Sequence, residues 1–154
     1  MRGMTTRAGE LASRLTSAAD ALVAAIEPIE DDLWHRVAVP GTWSIGMEAE
    51  HAADAMVYHQ WIVRLTIGEK VSSRRPLLER KQMTTALSQR EAAELIRQRA
   101  DEGARLILGL TDAQLALPTK PPRATAQVLV DAIEQILISH VDSHRAEIEA
   151  KLRG

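Results

Sequence analysis

Apolar residues recur at helical spacing along nearly the whole chain, and strand patterns are almost missing. Four long segments place apolar side chains three or four residues apart, which is the spacing of a helix that buries one face. Sustained alternation of polar and β-branched residues is absent, as are the Asn-Gly and Asp-Gly pairs that close tight hairpins. The sequence therefore predicts an all-α fold, a four-helix bundle.

Local start and stop signals locate the four predicted helices. Ser44 is an N-cap candidate and Gly68 a stop, while Ser88 and Glu91 have the spacing of a capping box. Pro28 ends the first helix. The helices are expected at about 6–27, 44–67, 88–108 and 125–151.

The connections between these helices predict the topology. Residues 69–87 form a long irregular stretch, which suggests a crossover between distant ends of the bundle, joining the second and third helices. A short extra turn is expected at 29–34, a minor turn at 111–114 and a loop at 118–122. With no internal repeat, residues 1–154 are expected to form one domain.

Composition excludes several classes of function. The formal charge of -2 provides no basic field for nucleic acid or an anionic membrane surface, and no apolar stretch approaches the length of a membrane span. We therefore expect a cytoplasmic protein whose partners are small molecules. The chain has no cysteine, so any thiol used in its chemistry must come from a ligand.

Three histidines are the strongest candidates for a functional site. His140 and His144 are four residues apart on the last predicted helix, a spacing at which two imidazoles can converge on one metal ion. His51, on the second helix, is the candidate third ligand, and three imidazoles leave a coordination position open. Periodicity alone also fits three separately hydrogen-bonded histidines, so both interpretations stay open.

Acidic residues near these histidines are candidates for orienting them. Glu48 and Asp54 are each three residues from His51, and Glu147 is three residues beyond His144. Glu147 shares a helix face with His140 and is the best candidate for a fourth ligand or a general base. Solvated surface positions are the alternative for all three acids.

Tyr58 lies on the same predicted face as His51 and is a candidate hydrogen-bond donor to the pocket, with core packing as the alternative. His59 is rotated and displaced too far from His51 to share an ion with it. His35, in a polar segment, is expected to be exposed.

Two motifs resemble those of the DinB-like (YfiT-like) superfamily of metal-binding four-helix bundles. The first is Trp43-Ser44 followed by His51, and the second runs from His140 through His144-Arg145 to Ile148. They occur in the expected order and at the expected distance. A glutamate that is often found between the Trp-Ser pair and the histidine is replaced here by Met47.

The resemblance implies a divalent metal, commonly zinc or nickel, held by His51, His140 and His144, and frequently a homodimer. It also implies activities such as transfer or isomerisation with low-molecular-weight thiols, including mycothiol and bacillithiol, while other members are described as hydrolases.

Two classes of function follow from the residues and the resemblance together. The first is a metal-dependent enzyme, a thiol-dependent transferase or a hydrolase. In the transferase, Arg145, or Arg75 of the long connection, would neutralise an anionic group of the cofactor or substrate. For the basic cluster around Arg75, a solvated loop is the alternative. The second class is a catalytically silent metal-binding bundle that serves as an interaction protein.

Overall fold

The computed structural model describes residues 5–72, 82–122 and 126–154, and these form helices joined by loops. The helices are α1 (Arg7–Ile26), α2 (Asp31–His35), α3 (Ile45–Thr66), α4 (Gln89–Leu108) and α5 (Asp112–Leu115), followed by a last helix in three parts. Those parts are α6 (Leu129–Ala132), a π-helical segment (Ile133–Ile138) and α7 (Ser139–Arg153). The all-α prediction is confirmed.

The helix ends follow the capping signals in the sequence. The Ser44 hydroxyl accepts a hydrogen bond from the Met47 N–H at 3.1 Å, which starts α3. Ser88 and Glu91 form a reciprocal capping box at the start of α4. Gly68, just past the end of α3, has a φ of +84°, a conformation that other residues rarely adopt.

The four long helices pack around one apolar core. α1 packs mainly against α4 and also against α7, whereas α3 packs against both α4 and α7. α3 is buried around most of its circumference. Among the described residues, no helix combines the length and apolar character needed to cross a membrane. Side chains fully inside the core include Leu11, Leu15, Leu22, Ile26, Met56, Ile96, Ile107, Leu129 and Ile133.

Residues 82–88 lie at the end of the bundle where α3 begins. The Ser44 N–H donates to the Met83 carbonyl at 2.7 Å, and the indole N–H of buried Trp34 donates to the Leu87 carbonyl at 2.8 Å. The path between residues 72 and 82 lies outside the described residues, so the crossover stays a prediction.

The last helix begins later than the sequence suggested, at Leu129 rather than near residue 125. Residues 126–128 pair with 117–119 instead: the Thr119 N–H donates to the Gln127 carbonyl at 3.1 Å, and the Leu129 N–H donates to the Leu117 carbonyl at 2.9 Å. Val128 is correspondingly extended. This pairing joins segments separated in the sequence, so a local pattern does not reveal it.

The π-helical segment Ile133–Ile138 was not expected either. It directly precedes α7, the helix that carries His140 and His144. Wide turns of this kind are rare and frequently lie at functional sites.

Candidate metal centre

His51 on α3 and His140 and His144 on α7 converge. Each offers a ring nitrogen, and the three nitrogens all lie within 4.8 Å of one another, so they could hold a metal ion. The ring centroids are 4.3 Å apart for His140 and His144, 4.9 Å for His51 and His144, and 5.5 Å for His51 and His140. The packing of α3 against α7 brings the two motifs together.

Glu48 determines which nitrogen of His144 faces the cluster. Its Oε2 lies 2.7 Å from His144 Nδ1, and His144 Nε2 lies 2.7 Å from His140 Nε2. An ionised carboxylate only accepts hydrogen bonds, so the Nδ1–H of His144 donates to it. When His144 is neutral, the lone pair is therefore on Nε2, directed into the cluster. This carboxylate–histidine pair is the usual support of a metal-binding imidazole.

The surroundings of Glu48 keep it ionised. Glu48 is 8% exposed and lies in the first turn of α3, where the helix dipole favours negative charge. Its Oε1 pairs with Lys151 Nζ at 3.2 Å. Burial alone would raise the pKa of Glu48, but the hydrogen bonds and positive charges of His144 and Lys151 outweigh burial and hold that pKa below its usual value.

His140 is in the neutral form at physiological pH. Burial, together with repulsion from positive charge on His144 and His51, lowers the pKa of His140 to about 4. A neutral imidazole is the form that coordinates a metal, so protons compete weakly for this ligand.

Aromatic rings flank the three histidines on both sides. Trp43 lies 4.8 Å from His51 between ring centroids, and His59 packs against His140 at 5.1 Å. The ring centroids of Tyr58 and His59 are 5.5 Å apart, so Tyr58 packs on the ring that contacts His140. His59 is outside the ligand cluster, in agreement with the sequence, but its packing on His140 was not foreseen. Only the contact between α3 and α7 reveals it.

A groove of about 800 Å³ lies beside the cluster, between the start of α3 and the end of α7. Leu33, Val39, Trp43, Glu48, Glu147 and Lys151 are among its lining residues.

Glu147 lies in the groove rather than among the three ligands. It is exposed, and it is not part of the cluster that could hold an ion. Although Glu147 shares the face of His140, seven residues of helix separate them by about 10 Å along the axis. Glu48 contacts the cluster through its bond to His144.

Arg145, Asp54 and His35 are not among the three candidate ligands. Arg145 forms ion pairs with Glu149 at 3.3 Å and with Asp142 at 3.9 Å, both on its own helix. Arg75 lies outside the described residues. Asp54 is half-buried on α3. His35 belongs to α2 rather than to a loop, with its side chain 39% exposed.

Lys151 is the functional candidate that the sequence did not reveal. It is seven residues from His144 and far from Glu48 along the chain, and it resembles an ordinary basic residue in the last turn of a helix. Besides Glu48, it donates to the Trp43 carbonyl at 2.6 Å.

The comparison with known families agrees with the fold and with the histidine motifs. The sequence model of the DinB superfamily matches residues 14–148. The chain therefore belongs to the DinB superfamily, a group whose members often bind metals. No curated protein and no solved structure gave a significant match.

Proposed function

We propose that this protein is an enzyme that depends on a divalent metal and transfers a group to or from a low-molecular-weight thiol. The observation that carries the proposal is the convergence of His51, His140 and His144, with ring nitrogens within 4.8 Å. Zinc and nickel are the proposed ions, because both accept imidazole ligands. Mycothiol or bacillithiol is the proposed thiol.

The second support is the protonation of the ligands. Glu48 directs the Nε2 lone pair of neutral His144 into the cluster, and His140 is neutral above a pKa of about 4. A bound ion would supply Lewis acidity and favour the thiolate form of a thiol. Because the chain has no cysteine, the sulfur nucleophile comes from the cofactor.

In the proposed reaction, the thiol sulfur loses its proton and forms a bond to an electrophilic carbon of the second substrate. The leaving group on that carbon departs with the bonding electron pair and takes up a proton. Glu147, an exposed carboxylate in the groove, is the proposed base or acid for these proton transfers. The apolar lining around Trp43 would accommodate the unreactive part of the substrate.

Three further residues have proposed roles that rest on fewer observations. Tyr58 would act on the cluster through His59, which packs on His140. Arg145 or Arg75 would pair with a carboxylate of the thiol cofactor. For Arg145, this requires exchanging its ion pairs with Glu149 and Asp142.

The test combines metal analysis with thiol binding. Untagged protein is analysed for metals, loaded with cobalt, and titrated with mycothiol, bacillithiol and glutathione by calorimetry and absorption spectroscopy. We expect one ion per chain and a new sulfur-to-cobalt absorption band with at least one thiol. His140→Ala should lose both signals, whereas the matched variant His35→Ala should keep them.

Other outcomes would redirect the assignment. A loaded protein that neither binds a thiol calorimetrically nor changes its cobalt spectrum contradicts the transferase. Hydrolysis of model esters or amides by that protein would then support a metal-dependent hydrolase, and its absence would support a silent metal-binding bundle.

We also propose that the protein is a homodimer, on the basis of the family resemblance. Light scattering at tens of micromolar protein provides the test, and a monomeric mass contradicts the proposal.

A further inference from the structure

The side chain of Lys151 connects the last turn of α7 to the support of the metal centre. Its Nζ lies 3.2 Å from Glu48 Oε1 and donates to the Trp43 carbonyl at 2.6 Å. Glu48 Oε2 in turn lies 2.7 Å from His144 Nδ1. One cation thus contacts both the carboxylate that orients a candidate ligand and the backbone that leads into α3.

Each carboxylate oxygen of Glu48 has its own partner. With Oε1 held by Lys151, Oε2 is left to accept the Nδ1–H of His144. Without Lys151, the carboxylate is free to rotate and share both oxygens with water. The Nδ1–H form of neutral His144 would then lose its advantage over the Nε2–H form, which turns a proton rather than a lone pair toward the cluster.

We propose that Lys151 is a positioning residue that acts through Glu48 to fix the Nδ1–H tautomer of His144 and so raises the metal affinity of the three-histidine cluster. This inference rests on the proposed function only in assuming that the cluster binds a divalent ion. It concerns the preparation of a ligand and requires neither a thiol nor catalysis.

The alternative is an ordinary ion pair at the end of a helix. Such a pair contributes little to folding stability and would leave metal affinity unchanged when removed. Burial distinguishes Lys151 from an exposed pair, because its side chain is 28% exposed and that of Glu48 is 11% exposed. Two measurements separate the alternatives: the metal dissociation constant and the tautomer of His144.

The first experiment compares Lys151→Met, which keeps the apolar stem, with Lys151→Arg, which keeps the charge. Exposed Lys70 provides the matched control, Lys70→Met. Zinc affinity is measured by chelator competition. We expect Lys151→Met to bind zinc about 10-fold more weakly, the usual effect of losing support around a ligand. Lys151→Arg should recover most of the affinity, and Lys70→Met should match the unmodified protein.

A double-mutant cycle tests whether Lys151 acts through Glu48. Glu48→Gln keeps the shape of the side chain but removes its charge, and it should weaken zinc binding at least as much as Lys151→Met does. In the Glu48→Gln background, Lys151→Met should have little further effect. Additive losses would overturn the proposal, because Lys151 would then act independently of Glu48.

The tautomer is read in metal-free protein from long-range nitrogen–proton NMR correlations of His144. We expect the Nδ1–H form in the unmodified protein and a mixture in Lys151→Met. An unchanged tautomer and unchanged zinc affinity in Lys151→Met would overturn the inference. If the unmodified protein binds no divalent ion, the proposed function fails, while this NMR comparison still decides whether Lys151 controls the tautomer.

Discussion

The Nε2 atoms of His140 and His144 lie 2.7 Å apart across one turn of α7. Because Nδ1 of His144 faces Glu48, the Nε2 atoms of both imidazoles face the centre of the cluster. His51 reaches the same centre from α3. Two histidines at this spacing can coordinate one metal ion when a third ligand is fixed nearby.

Metal stoichiometry provides the most direct prediction. We expect about one zinc or nickel ion per chain, as in catalytic sites with three histidine ligands. His140→Ala removes one of the three imidazoles. It should abolish stoichiometric binding, because the two imidazoles that remain hold the ion too weakly. His35→Ala removes a histidine that belongs to α2, outside the cluster, and should bind like the unmodified protein. Elemental analysis after gel filtration provides the measurement, and equal retention in both variants would refute the site.

Removal of the metal should leave the fold intact. The core joins residues of all four long helices, and burial of each large aliphatic side chain stabilises the fold by about 1.5–3 kcal/mol. A chelator should therefore preserve the far-ultraviolet circular dichroism spectrum. It should lower the melting temperature, because the stability that metal binding adds to the folded state is lost. Loss of helical signal on chelation would show instead that the metal is structural.

The stability of the metal-free protein should depend on pH through His140. In the unfolded chain the pKa of this group has its ordinary value of 6.5, whereas in the folded protein the pKa is about 4. Between these values the unfolded state binds more protons, so the free energy of unfolding should fall as pH decreases.

Urea unfolding between pH 5 and 7 provides the measurement, above the range in which Glu48 titrates. His140→Asn removes the group, and its free energy of unfolding should fall less steeply with decreasing pH. Parallel slopes for the two proteins would contradict the lowered pKa of His140.

Close packing at Gly46 predicts a specific destabilisation. A Cβ at this position would lie 2.6 Å from Thr85 Cγ2 and 2.8 Å from the buried Trp34 ring. Gly46→Ala should therefore lower the free energy of unfolding by about 1–3 kcal/mol, despite the higher helix propensity of alanine. Gly109→Ala is the control, because the nearest atom would lie 3.7 Å away, and it should not destabilise. A fully stable Gly46→Ala variant would show that Trp34 shifts easily.

Trp43 should report metal binding by fluorescence. Its ring lies 4.8 Å from that of His51, so cobalt or nickel in the cluster should quench its emission. Trp43→Phe should remove most of the metal-dependent quenching. Trp61→Phe should retain it, because Trp61 lies ten residues beyond His51 on α3, about 15 Å along the helix axis. Equal quenching in both variants would locate the ion elsewhere.

The sequence predicted the helix starts well because capping is local. Ser44 and Ser88 each bond to an N–H three residues away, so a short stretch of sequence contains the whole signal. The start of the last helix was missed because residues 126–128 pair with 117–119 across a loop. The π-helical segment was missed because its residues have ordinary helical composition.

The candidate site could be predicted in part from the sequence. His140 and His144 share one helix, and His51, on another predicted helix, was proposed as the third ligand and then supported by family resemblance. Glu48 was selected for its distance from His51, yet it bonds to His144 on another helix. Lys151 depends entirely on where the ends of α3 and α7 meet, which no spacing within either helix determines.

The three candidate ligands, Glu48 and Lys151 all belong to α3 and α7. α1 and α4 face them across the core and supply mainly apolar packing surface. Over evolutionary time, α1 and α4 can accept many substitutions as long as their buried volume is preserved. The sequences of related proteins should therefore diverge fastest along α1 and α4. A designer seeking a new specificity should vary residues of α3 and α7 and keep α1 and α4 as the scaffold.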